Sequence, residues 1–143
     1  MGGYRVLEEV ALADCALEIE AADLNDLFAT AARALAEVMV DPDTVELVAE
    51  HAVTLEAPTR DLLLFDWLGE LIFLKDRDGM VFPVADVLVE GDGPFRLAAR
   101  IRGGRIDPAR TERRADPKAV TFHQLAVEPA PGGGWRARVV IDI

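Results

Sequence analysis

Residues 135–143 read WRARVVIDI, and this stretch decides how the fold is interpreted. Its residues alternate between apolar side chains at odd positions and mainly charged side chains at even positions, which is typical of a half-buried β-strand. The preceding residues 131–134 (PGGG) predict a turn, so residues 119–127 and 135–143 are expected to form a β-hairpin. The sequence therefore predicts a structural strand here rather than a frayed tail.

Two amphipathic helices precede this hairpin. The first is predicted to begin after Asp23, which caps it, and the second to open at Thr59 and stop near Gly79. Further strands are expected around residues 17–21, 45–47, 53–55, 80–90 and 95–101. The pattern predicts an α+β fold, a two-layer sandwich in which two main helices pack on a mixed β-sheet.

Composition predicts one globular domain over residues 1–143. Hydrophobic residues make up 51% of the chain, enough for a core at this length. The net charge of −11 disfavours nonspecific adhesion to nucleic acid. We expect neither a signal peptide nor a membrane span, and the single cysteine suits a reducing compartment, so a cytoplasmic protein is expected.

Residues 96–118 form a basic segment in this acidic chain, because they carry eight basic residues against three acidic ones. Two interpretations are open. The segment is either a solvated strand face and loop, or a docking patch for an acidic partner or a phosphate-bearing ligand.

Standard catalytic motifs are absent from the sequence: there is no P-loop, no G-x-S-x-G elbow and no H-E-x-x-H pair. His51 and His123 are isolated, and each is interpreted first as a surface or hydrogen-bonded residue and second as a ligand or base. Cys15 is interpreted as a small buried hydrophobe. These residues do not predict an enzyme with its own active site.

Carboxylates on strands are the most informative polar residues. Asp14 lies at the entry of a strand and faces away from its apolar side, and Asp142 projects from the outward face of the last strand. If the two strands are neighbours, these carboxylates and an oxygen of Ile143 form a hard-oxygen cluster suited to Mg²⁺, Mn²⁺ or Ca²⁺. A salt bridge to Lys118 or to an arginine is the alternative.

Four blocks of sequence resemble the archease family, whose members carry H-T-A-D, D-W-L, K-A-V-T-[YF]-H and a final D-[IV] in this order. The matching blocks here are residues 11–14 (ALAD), 63–68 (LLFDWL), 118–123 (KAVTFH) and 136–143 (RARVVIDI). The chain departs from the pattern at Ala11 and Leu12, which replace His-Thr, and at Thr111, which stands where a D-P-x-x-H loop has its histidine.

The resemblance implies an accessory protein rather than an enzyme. It implies activation of an RtcB-type RNA 3′-phosphate ligase, which seals tRNA exons and broken RNAs with GTP and a divalent metal, and a role in guanylylation and repeated turnover of that ligase. By the same resemblance, Asp14, Asp142 and Ile143 hold the metal ion, and Lys118 serves the activator function. The alternatives are a metal-dependent phosphoester hydrolase assisted by His123 or Lys118, and a chaperone-like interaction module.

Overall fold

Both helices begin at their predicted caps, and the second also ends where the sequence predicts. The computed structural model describes residues 2–7 and 14–143. Helix α1 spans Leu24–Met39, and the Asp23 carboxylate accepts the main-chain N–H of Asp26 at 2.8 Å. Helix α2 spans Arg60–Asp78; it begins after the Thr59 cap and ends at Gly79, whose φ of 65° places it in the left-handed region that glycine adopts without strain.

Eight strands form two antiparallel sheets in the described residues. The first sheet has the order β1-β2-β8-β6, with β7 also paired to β8, and the second has the order β3-β5-β4. The strands are β1 (Gly3–Leu7), β2 (Asp14–Ala21), β3 (Ala49–Ala57), β4 (Met80–Glu90), β5 (Phe95–Arg105), β6 (Ala119–Val120), β7 (Ala126–Pro129) and β8 (Trp135–Asp142).

The α+β class and the two main helices are confirmed, whereas the mixed sheet is wrong. Every strand pair in the described part of the chain is antiparallel, and the strands divide between two sheets. Helix α1 contacts β2 of the first sheet and β4 of the second, and α2 likewise contacts both sheets. The apolar pattern indicates which residues are buried. It does not show whether the helices cover one sheet or two.

Two local predictions are also wrong. Residues 45–47 are not a strand: a short 3₁₀ helix, Pro42–Thr44, precedes them and uses Asp41 as its cap. Residues 119–127 are not one continuous strand, because a turn with Gln124 at a φ of 55° separates β6 from β7. Both short strands nevertheless pair with β8, and the β7–β8 hairpin around residues 131–134 is confirmed.

The core lies where the helices meet the sheets. Trp67 is fully buried, and its indole N–H donates to the main-chain oxygen of Phe28 at 2.9 Å, which ties α2 to α1. Neither helix is long and apolar enough to cross a membrane, over the residues searched. The largest fully buried side chains include Trp67, Phe28, Leu17, Ile19, Leu27, Leu35, Leu63, Leu64, Leu68, Leu74, Leu97 and Ile101.

Candidate metal centre

The sheet brings the two predicted carboxylates together. Asp14 is the first residue of β2 and Asp142 the last of β8, and the antiparallel register pairs them directly. Directly opposite residues of an antiparallel pair project from the same face, with Cβ atoms about 4.5–5.5 Å apart. Both residues are partly exposed. Two residues from opposite ends of the described chain therefore form one acidic site at the end of the sheet.

Strand β6 holds the other side of Asp142. Ala119 is its register partner on that edge, and the main-chain N–H of Lys118 donates to the main-chain oxygen of Asp142 at 2.7 Å. Ile143, the next residue, is partly buried and packs against the hydrophobic core. The backbone of the site is thus fixed on three sides by ordinary sheet bonding and packing.

No basic side chain in the described residues neutralises this acidic pair. The arginines of β8 are engaged further along the same strand, where Arg138 lies 3.9 Å from Glu18 and Arg136 lies 2.8 Å from Glu128. The salt bridge to Lys118 or to an arginine, the alternative raised by the sequence, is not formed there by Asp14 or Asp142. Like charges placed directly opposite one another destabilise a strand pair, so this arrangement favours a bound cation.

The donor set fits a hard divalent ion. Carboxylate and main-chain oxygens are the ligands that Ca²⁺, Mg²⁺ and Mn²⁺ prefer. No group of three or more His, Cys, Asp or Glu side chains that could hold a metal ion occurs within residues 2–7 and 14–143. An ion held here would have Asp14 and Asp142 as its side-chain ligands, and a main-chain oxygen of Ile143 and water would complete this small set. The set contains only oxygen atoms, so it differs from the thiolate and imidazole sites that bind zinc.

Lys118 lies beside the pair through its backbone, while its side chain is exposed and forms no ion pair in the part of the chain that is described. Its predicted activator role stays a prediction. Thr111 is buried; its hydroxyl accepts the main-chain N–H of Asp107 at 2.8 Å and closes its own loop. The other departure from the family pattern, Ala11 and Leu12, lies outside the described residues.

The remaining chemistry-bearing residues do not join the site. His51 and His123 are exposed, and neither imidazole forms a hydrogen bond within residues 2–7 and 14–143. Burial raises the pKa of the Cys15 thiol, which disfavours the reactive thiolate. These observations agree with the first interpretation of each residue and identify no oriented general base.

Most arginines of the basic segment have acidic partners on the surface. Arg100 binds Glu50 at 2.7 Å and Arg96 lies 4.0 Å from Glu56, both across the β3–β5 pair. Arg110, in the loop after β5, pairs with Glu46, which precedes β3. Because these partners cancel much of the local charge, the structure favours a solvated strand face and loop over a docking patch for an acidic ligand.

The sequence interpretation missed one charged residue beside the site. Lys75, near the end of α2, is only 7% exposed and forms ion pairs with Asp116 and, at 2.9 Å, with Asp76. Its ammonium also donates to the main-chain oxygen of Pro117 at 2.6 Å. In the sequence, Lys75 follows the apolar residues Leu71, Ile72 and Leu74, which are buried in the structure. A lysine at such a position is usually expected to be exposed to solvent.

This ion pair predicts an acid-dependent loss of stability. The hydrogen bond from Lys75 holds the pKa of Asp116 below its ordinary value of 3.8. Because the pKa is lower in the folded state, the stabilisation is complete above about pH 4 and is lost as the pH falls through the folded-state value. Urea unfolding at pH 7 and pH 3 should show a smaller acid loss for Asp116→Asn than for the wild type; equal losses would contradict this.

Comparisons with known proteins find relatives that match most of the chain. Residues 4–143 match the model of the Archease protein family (MTH1598/TM1083). The chain is 34% identical to protein archease of Pyrococcus furiosus, over 84% of this chain and 85% of that protein. It is 38% identical to protein archease of Methanopyrus kandleri, over 92% of this chain and 94% of that protein.

Two solved structures share the fold. The solution structure of protein 1598 from Methanobacterium thermoautotrophicum superposes with a TM-score of 0.80 at 32% identity, covering 99% of both chains. The crystal structure of an archease, described as a possible chaperone, from Thermotoga maritima superposes with a TM-score of 0.65 at 22% identity, covering 93% of both chains. At this identity, the similarity to the second structure shows a shared fold only.

Proposed function

Because this chain belongs to the archease protein family, we propose that it is an accessory protein that activates an RtcB-type RNA ligase. In this proposal the protein binds Ca²⁺, Mg²⁺ or Mn²⁺ at Asp14 and Asp142. It thereby promotes the guanylylation of the ligase by GTP and its multiple turnover in tRNA splicing and RNA repair. The ligase performs the covalent chemistry and contacts the RNA. This protein is proposed to act in the cytoplasm, with no membrane as a partner.

The observation that carries the proposal is the directly opposed Asp14–Asp142 pair, which has no basic partner in the described residues. A protein that needed this sheet end only for stability would not gain from two facing carboxylates, since like charges there cost about 0.2–1 kcal/mol. The neighbouring Glu18, by contrast, binds Arg5 at 2.7 Å. The sheet therefore neutralises one carboxylate and leaves two others available for a cation.

Each residue has a defined part in this function. Asp14 and Asp142 would hold the ion, together with a main-chain oxygen of Ile143. When bound, the ion would supply positive charge that offsets the negative charge of the triphosphate used by the ligase. Lys118, exposed beside Asp142, would contribute a second positive charge toward the same phosphate groups.

A ligation assay tests the proposal. An RtcB-type ligase is incubated with excess RNA bearing a 3′-phosphate, GTP and Mn²⁺, with or without this protein. We expect the wild type to increase the number of turnovers, and Asp14→Ala to abolish that increase. Glu20→Ala is the matched control, because Glu20 lies on the same strand and face but opposite Arg136, and it should stimulate as the wild type does.

The same assay separates the alternatives. Lack of stimulation by the wild type under these conditions would refute the proposal. Metal-dependent hydrolysis of a phosphoester by the protein alone would support the hydrolase. Stimulation that Asp14→Ala leaves intact would support a chaperone-like module that acts without the metal.

A further inference from the structure

The buried ammonium of Lys75 is surrounded by acceptors from two parts of the chain. Two are the carboxylates of Asp116 and Asp76, and the third is the main-chain oxygen of Pro117, 2.6 Å from Nζ. An ammonium group has three donors, so this set can satisfy it completely. The carboxylates are exposed, whereas Pro117 is buried. The contact with Pro117 is therefore the one that solvent competes for least.

Pro117 is connected to the candidate metal centre through the next residue. The next residue, Lys118, donates its N–H to the main-chain oxygen of Asp142 at 2.7 Å, and Ala119 is the register partner of Asp142. A continuous path thus runs from the end of α2 through the Pro117–Lys118 peptide to the backbone of Asp142. The path consists of two hydrogen bonds and one rigid peptide unit.

Strand β6 contains only two residues. At its far end the main-chain N–H of Thr121 donates to the main-chain oxygen of Val140 at 3.0 Å, so the end beside Asp142 depends on the hydrogen bond from Lys118. A displacement at this end would move a proposed metal ligand. A buried charge-assisted hydrogen bond just before the strand fixes where β6 begins.

We propose that Lys75 is a positioning residue for Asp142: by binding the Pro117 carbonyl it fixes the Lys118 amide on Asp142 and so sets the geometry of the acidic pair. The part of this inference that concerns metal affinity rests on the proposed function. The part that concerns the Lys118 amide does not. Groups that orient a metal ligand without touching the metal typically change its affinity by about 10–100-fold.

Hydrogen exchange and metal titration of three variants test the inference. Lys75→Met removes the ammonium and keeps the apolar stem. Asp116→Asn removes a carboxylate partner and keeps the bond to Pro117. Val53→Ala truncates a buried side chain in the second sheet and serves as the control for general loss of stability. All are measured at a temperature where each is fully folded, with amide exchange followed by NMR and Mn²⁺ or Ca²⁺ affinity by calorimetry.

We expect Lys75→Met to accelerate exchange of the Lys118 amide by at least about tenfold relative to the amides of the β2–β8 pair, and to weaken metal binding about 10-fold or more. Asp116→Asn should change the metal affinity less than about twofold. Val53→Ala should change neither the exchange rate of the Lys118 amide relative to the β2–β8 amides nor the metal affinity. If Lys75→Met does not fold, Lys75→Gln takes its place. In the wild type, the Lys118 amide should exchange as slowly as those of β8.

Several results would overturn the inference. One is equal Lys118 exchange ratios in Lys75→Met and Val53→Ala, which would leave Lys75 a purely stabilising role. Another is an effect of Asp116→Asn as large as that of Lys75→Met, which would refute the route through Pro117. Rapid exchange of the Lys118 amide in the wild type would also refute the route through Pro117. Absence of metal binding by the wild type, with the exchange result as expected, would refute the proposed metal function and leave the anchoring role established.

Discussion

Replacing Asp142 with asparagine is expected to weaken divalent-metal binding and, in the absence of metal, to stabilise the fold. The carboxylate is a proposed direct ligand, and even groups one step behind a ligand are worth about 10–100-fold, so we expect a loss of at least about 100-fold in affinity. The same change removes a like-charge contact with Asp14, which should raise the free energy of unfolding by about 0.2–1 kcal/mol.

Calorimetric titration with Mn²⁺ and urea unfolding with EDTA measure the two effects separately. Glu20→Gln is the control, because it neutralises an exposed carboxylate on the same face whose register partner is Arg136. It should bind metal normally and gain no stability. A variant Asp142→Asn that lost stability in EDTA would show that this carboxylate has a favourable structural partner, and would contradict the proposed site.

Replacing Trp67 with alanine is expected to produce the largest loss of stability among these variants. Trp67 is fully buried, and truncation of a buried tryptophan typically costs about 3–5 kcal/mol. A domain of this kind has only about 5–15 kcal/mol in total. The truncation also leaves the main-chain oxygen of Phe28 without its indole donor. We therefore expect a partly unfolded population at 37 °C.

The variant Trp67→Phe separates packing from hydrogen bonding. It keeps an aromatic ring in the core but removes the donor. Because Phe28 lies within α1, its carbonyl keeps the helical hydrogen bond, so the loss should be near that of one net hydrogen bond, about 0.5–1.5 kcal/mol. Urea unfolding of both variants, followed by far-UV circular dichroism, measures the difference. Equal losses for the two would mean that the hydrogen bond to Phe28 accounts for the whole contribution of the indole.

Trp67 also shows what the family resemblance contains. The block at residues 63–68 resembles the D-W-L helix of archeases, and in the structure its tryptophan is a core residue that joins the two helices. Asp66 of the same block is exposed. A shared motif therefore marks the scaffold as well as the proposed site, and the proposed metal ligands lie in the blocks at the strand ends.

Local patterns predicted the elements whose physics is local. Asp23 and Thr59 begin helices because their side chains accept main-chain N–H groups, and this depends on a few neighbouring residues. The outward direction of Asp142 followed from period-two alternation along a single strand. These predictions needed no knowledge of the rest of the chain.

Strand pairing depends on distant residues and could not be obtained in that way. Alternation predicts the face on which Asp14 projects but not that β8 lies beside β2, so the sequence alone could not show that Asp14 and Asp142 are opposite one another. The division into two antiparallel sheets has the same origin. Lys75 was missed because its burial depends on the loop that ends at Pro117, more than 40 residues later.

The pairing of β2 with β8 has a consequence for how the protein is made. Residues 24–105 contain both helices and the complete β3-β5-β4 sheet, so this part can assemble while the ribosome is still adding residues. The other sheet must wait for β8, which follows every other described strand and lies in the interior of that sheet, and closing so long a loop is kinetically slow. A chain without β8 therefore cannot form the Asp14–Asp142 pair, so the proposed ion site depends on a strand that folds late.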